Sequence, residues 1–275
     1  MRADEVRTLD EWAAAEGWNP GLADVRLVWD LDPEAFVAVR EQGSLIAGGT
    51  ILSYDGAFGF MGLFIVRPDR RGAGLGTRLW TLRRDRLLAR LDPGAPIGMD
   101  GVFAMVPFYE RGGFRFAYRT LRFEGSASGT PSTDLVDLSA LDFGVIEQFD
   151  RRFVPVARPA FLRRWVTQDG VHGAAVLDGD RVTAYGMVRP CRVGYKFGPV
   201  FADRPSDATR VIEHLMGCVS GARVQLDVPE PNAAALTIAQ RFGLHESFGC
   251  ARMYLGAAPV IPVEGIFGVT SFEFG

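Results

Sequence analysis

Between an apolar run and an arginine-rich stretch lies Val66-Arg67-Pro68-Asp69-Arg70-Arg71-Gly72-Ala73-Gly74-Leu75-Gly76-Thr77. Glycines without Cβ let the main chain approach a phosphate, and the successive N–H groups that open a helix present positive partial charge to it. The segment reads as an anion cradle, with a bare surface turn as the plainer alternative. A dinucleotide fingerprint would need a third glycine where Thr77 stands, and a nucleoside-triphosphate loop would need Gly-Lys-Ser/Thr after four intervening residues. Neither pattern is present. A second group of chemical interest follows, with Asp100 near the end of an apolar segment and Tyr109 just ahead of Gly112-Gly113-Phe114.

Arg71-Gly72-Ala73-Gly74-Leu75-Gly76 after an apolar strand resembles the acetyl-CoA-binding motif of the GNAT acetyltransferase superfamily. Phe108-Tyr109-Glu110-Arg111-Gly112-Gly113-Phe114 is similar to its second signature, a tyrosine four residues before a glycine-aromatic pair. Glu16-Gly17-Trp18-Asn19-Pro20-Gly21, the 97–102 and 194–199 stretches, Leu226 to Asn232 and the tail from Phe267 to Gly275 look like a bacterial subgroup with two GNAT-like domains in tandem. That resemblance covers essentially the whole chain.

The resemblance implies acetyl-CoA as cosubstrate, with its pyrophosphate on the main chain of Gly72, Ala73, Gly74, Leu75, Gly76 and Thr77 and with Arg71 adding charge. Backbone at Phe64, Ile65 and Val66 would face the thioester carbonyl, where such donors stabilise a developing oxyanion. Tyr109, a phenol that stays protonated at neutral pH, would donate to the departing thiolate, or else simply packs its helix on the sheet. An ammonium must lose its proton before it can attack, and Asp100 is the candidate acceptor, directly or through water; its other reading is a cap on the following turn. Trp18 and Asn19 would line the acceptor cleft, or the tryptophan is a buried structural residue. The implied reaction converts acyl-CoA and an amine, most simply that of a small molecule, into an amide and CoA. A non-catalytic acyl-CoA sensor and a transferase with a longer acyl donor are the rivals.

The elements that must position these groups are legible as periodicities. Gly43 to Val66 is rich in β-branched and aromatic residues and is broken once, at Tyr54-Asp55-Gly56-Ala57, so it predicts a hairpin. A helix follows the cradle, with Leu75, Leu79 and Leu82 on one face and arginines on the other. A strand over 96–103, a short helix over 107–111 and a strand over 114–123 complete the first half. The second half repeats the order, and Arg241-Phe242-Gly243-Leu244 mirrors Arg111-Gly112-Gly113-Phe114. Its equivalent of the cradle is Asp203-Arg204-Pro205-Ser206-Asp207-Ala208, without glycine, and Ala239 stands where the first half has Tyr109. The expectation is an α+β protein: a catalytic domain over 1–124, a linker over 125–133 with small polar composition, and a degenerate copy over 134–275.

The bulk numbers exclude other classes. With 275 residues, 48% of them hydrophobic, and a net charge of −3, the chain can build two proper cores and carries no global field for nucleic acid or an anionic membrane. Cys191, Cys218 and Cys250 form no CxxC pair, and His172, His214 and His245 lack ligand spacing, so no metal and no disulfide framework is expected. The absence of an apolar leader or spanning segment points to a cytoplasmic protein.

Overall fold

The structure, a computed structural model, describes residues 1–275 throughout. In chain order the helices are α1 (Ala3–Ala15), α2 (Asp24–Leu31), α3 (Leu75–Leu88), α4 (Val106–Arg111), α5 (Phe143–Asp150), α6 (Pro159–Val166), α7 (Pro205–Cys218) and α8 (Ala233–Arg241). The strands are β1 (Phe36–Glu41), β2 (Ser44–Tyr54), β3 (Phe58–Val66), β4 (Ile97–Val102), β5 (Arg115–Ser126) and β6 (Val136–Asp137). They continue with β7 (His172–Asp178), β8 (Arg181–Pro190), β9 (Tyr195–Ala202), β10 (Arg223–Pro229), β11 (His245–Leu255) and β12 (Ile266–Gly268). No helix is long and apolar enough to cross a membrane.

The chain divides into two compact units. The first comprises residues 1–117, 252–258 and 272–275; the second comprises 118–251 and 259–271. Neither is a continuous stretch. The expected linker at 125–133 is not a free connector: Gly125 and Ser126 end β5, Ala127 exchanges backbone hydrogen bonds with Gly221 and Ala222, and the main chain at Thr130 lies on Gly217 of α7. The close approach at Thr130 rests on the missing side chain of Gly217, while residues 128–133 are themselves exposed.

In the first unit the strands run β1-β2-β3-β4, followed by the last residues of β11. The predicted hairpin forms, with Asp55 at φ +49° and Gly56 at φ +76° between β2 and β3, the left-handed pair that matches strand twist. The β2–β3 ladder pairs Thr50 with Gly62 and Gly48 with Ile65, so Leu63 and Phe64 stand opposite the single residue Gly49. This is a β-bulge, and Leu63 sits in it at φ +49°, a strained region for a branched side chain. The buried face of α3 is Leu79, Trp80, Arg83 and Leu87, whereas Leu82 is largely exposed. The apolar face read from the sequence is thus rotated, and one arginine lies inside it.

In the second unit β5-β10-β9-β8-β7-β6 are neighbours, antiparallel except for the parallel pair β10–β9. Its core gathers Val211, Ile212 and Leu215 of α7 against Val200, Leu226 and Val228 of the sheet. Both units therefore have the predicted α+β architecture, each a mixed, mostly antiparallel sheet flanked by helices.

Candidate functional site

The first unit opens where its two parallel strands part. β3 and β4 pair only at Gly59–Ile97 and Phe60–Gly98, after which β3 continues to Val66 without β4 beside it. A gap of this kind between two parallel strands is where an extended ligand could lie along the strand edges. Phe64, Ile65 and Val66, the residues expected at the thioester, lie on this parted stretch, Phe64 within the bulge and the other two after it.

The chain leaves β3 through a single turn of 3₁₀ helix at Pro68–Arg70 and reaches α3 through Arg71-Gly72-Ala73-Gly74. Gly72 and Gly74 adopt φ +83° and +77°, which a side chain resists, and a Cβ on either would meet only open space. The residues from Arg71 to Gly74 are exposed, so this main chain is accessible to a ligand at the N-terminus of a fourteen-residue helix. That geometry suits an anion such as a diphosphate. Arg71 flanks the turn but is engaged: its Nε donates to Val66 O at 2.8 Å and its other nitrogen pairs with Glu16. Arg67 and Arg70 are likewise turned to Asp69 and Glu41.

Tyr109 reaches the same region from α4. Its ring lies 4.9 Å from that of Trp80 and so close to Gly101 of β4 that a Cβ there would come within 2.4 Å of it. Trp80 also packs at a tilt against Phe64 and Phe114, and Phe64 stacks with Phe108, so one aromatic cluster ties α3, α4 and the bulged end of β3 together.

Asp100 stands differently from the expectation. Its side chain has no exposed surface, and it accepts both Arg252 Nε at 2.9 Å and Arg252 Nη2 at 2.6 Å. Arg252 belongs to the part of β11 that returns to the first unit and also lies over the Phe60 ring. A carboxylate held by a bidentate guanidinium is a poor proton acceptor, because accepting the proton would unmake the pair. The geometry therefore speaks against the base role and for a structural ion pair. Trp18 and Asn19 fall in the turn after α1, with Asn19 buried at φ +51° and Trp18 half-buried.

Two contributors escaped the sequence reading. One is Arg83, fully buried on α3, whose Nη2 donates to Thr50 O at 2.6 Å and Gly62 O at 2.5 Å. Its place four residues after Leu79 is the signal that could have found it. The other is the C-terminal segment 272–275, which joins the first unit: Tyr54 Oη donates to Phe274 O at 2.6 Å, and the Glu273 carbonyl comes so near Gly62 that a Cβ there would be only 2.0 Å away.

The second unit has the same parting of strands, but its own chain fills it. β9 and β10 pair from Tyr195–Val224 to Phe197–Leu226, and then β12 pairs with β9 at Val200 and Phe201 while Val269 N–H donates to Asp227 O of β10 at 2.9 Å. Asn232 pins this insert, donating from Nδ2 to the carbonyls of Glu264 and Ile266 at 2.9 Å each while its Oδ1 caps α8 at Ala235 N. The turn ahead of α7 holds no glycine.

Known proteins resemble this chain in sequence and fold. The profile described as "Acetyltransferase (GNAT) family" matches residues 3–114, and that described as "Acetyltransferase (GNAT) domain" matches residues 146–268. A holothin acyltransferase of Pseudoalteromonas sp. (strain SANK 73390) is 26% identical over 99% of this chain and 92% of its own. A solved Pyrococcus horikoshii structure assigned to the acetyltransferases superposes with a TM-score of 0.82 at 18% identity, covering 99% of this chain and 93% of that one. A tandem GNAT protein from the clavulanic acid biosynthesis pathway superposes with a TM-score of 0.66 at 14% identity, covering 94% and 97%.

Proposed function

Because the chain belongs to the GNAT acetyltransferase family, with two such domains in tandem, we propose that its first unit transfers an acetyl group from acetyl-CoA to the amine of a small molecule. The observation that carries this reading is the adjacency of two features: the parting of β3 from β4 after Phe60 and the exposed, left-handed glycine turn that opens α3. The turn's amides at 72–77 would take the diphosphate, and the parted edges would bond the amide-bearing arm of the coenzyme. The tail strand in the second unit supports this, since an extended main chain with amides of its own fills the corresponding gap there. One coenzyme per chain follows.

In the reaction the amine nitrogen attacks the thioester carbonyl carbon, the C–N bond forms and the C–S bond breaks. Backbone amides at Phe64 to Val66 stabilise the transient oxyanion. The sulfur leaves as a thiolate and takes the Tyr109 phenolic proton, while the proton of the amine passes to water. The relative named a holothin acyltransferase supports acyl transfer, and a small-molecule amine is the acceptor class to test first. The test is calorimetry with acetyl-CoA, followed by thiol release over a panel of small amines. One site per chain and amine-dependent thiol release are expected. No uptake, or uptake that survives Gly74→Glu undiminished, overturns the proposal.

A further inference from the structure

Building on the acyl-transfer reading, we infer that Arg83 is a positioning residue for that reaction, clamping the carbonyls of Thr50 and Gly62 and so fixing the β3 bulge beside the acyl group. Gly62 O belongs to the peptide that enters Leu63, and the residues after it, Phe64 to Val66, run along the edge that β4 has left. One guanidinium nitrogen, Nη2, bridges the two strands across the irregularity, at 2.6 Å to β2 and 2.5 Å to β3. The site is cut to this group: a Cβ on Gly49, the single residue opposite the bulge, would lie 2.6 Å from Arg83 Cζ. From the other face, the Glu273 carbonyl closes on Gly62. The bulge is thus gripped on both sides.

The charge itself argues for a role beyond packing. Arg83 has no exposed surface and pairs with no carboxylate; its surroundings include carbonyl oxygens, the face of Phe64, 5.2 Å from Cζ, and Tyr109, whose electrostatic effect opposes that of burial. Nε and Nη1 have no hydrogen-bond partner, and burial lowers the guanidinium pKa to about 9. Apolar residues of the same volume would fill this place without that desolvation cost. What they would lack is a donor able to hold two carbonyls at once against the strain of Leu63 at φ +49°.

The test compares the wild type with Arg83→Met, which keeps the length and removes the donors, and with Gly49→Ala, which keeps the charge and displaces it. Acetyl-CoA affinity is read by calorimetry and turnover by thiol release with hydroxylamine as a surrogate amine. Removing a positioning contact should lower kcat about 100-fold in Arg83→Met while the acetyl-CoA Kd stays within about threefold, and Arg83→Lys should recover part of the loss. A folded Arg83→Met with unchanged kcat, or a parallel loss of Kd and kcat, overturns the inference. Should Arg83→Met fail to fold, Gly49→Ala decides by the same split. A wild type that takes up no acetyl-CoA refutes the acyl-transfer reading instead, a distinct result.

Discussion

Breaking the pair between Asp100 and Arg252 separates a structural carboxylate from a catalytic one. Asp100→Asn, Arg252→Met and the double variant are the perturbations. The wild-type contact is bidentate, at 2.9 and 2.6 Å, between side chains 0% and 7% exposed, so neither charge has water to fall back on. Removing one partner of such a pair costs about 3–5 kcal/mol, whereas removing both leaves no stranded charge and restores part of that. At roughly 2–4 °C per kcal/mol for a chain of this class, each single variant should melt on the order of 6–20 °C lower, and the double variant should melt above the worse single one. Arg252→Met keeps apolar contact with the Phe60 ring, so its loss reports the charge. Calorimetric melting gives the stability, and thiol release from acetyl-CoA gives the turnover. If Asp100→Asn melted like the wild type while its kcat fell by about 10²–10⁴, the carboxylate would be the proton acceptor and not merely the structural partner of Arg252.

Other outcomes follow from the same contacts. Tyr109→Phe keeps the ring against Trp80 and Gly101 and removes only the buried hydroxyl, so it should stay folded at a cost of no more than about 1–3 kcal/mol while kcat falls at least about 10-fold; equal turnover would remove the phenol from the mechanism. Asn232→Ala removes the cap on α8 and strands one buried and one part-buried carbonyl of the tail, a loss of about 2–4 kcal/mol readable by urea titration, with acetyl-CoA stoichiometry still one per chain. Glu5 is held at a pKa of about 2 by its hydrogen bonds from Arg40, with desolvation opposing, against 4.5 when free. Its contribution to stability is full above pH 4.5 and is lost as the pH falls towards 2, so Glu5→Gln should flatten the acid side of the melting profile in that window. A wild-type-like acid limb in Glu5→Gln would contradict the assignment.

The sequence by itself determined what is local. The Asp55-Gly56 turn, the apolar run of β3, the glycines ahead of α3 and the tyrosine before Gly112-Gly113 each follow from the conformational preferences of a few neighbouring residues, and they were legible at their positions. The duplication was legible too, because the second half repeats the order of strands and helices and the stop at Arg241-Phe242-Gly243-Leu244, although it lacks the cradle glycines and the tyrosine. Tertiary structure alone decided the rest. Arg83 reads as one of many surface arginines until α3 is rotated onto the bulge, and Asp100 reads as an open carboxylate until Arg252, 152 residues later, is laid beside it. The same holds for the tail, whose residues 266–269 fill the gap in the second unit while 272–275 return to the first. Such pairings depend on which distant segments meet, and residue type sets only what each can do once they have met.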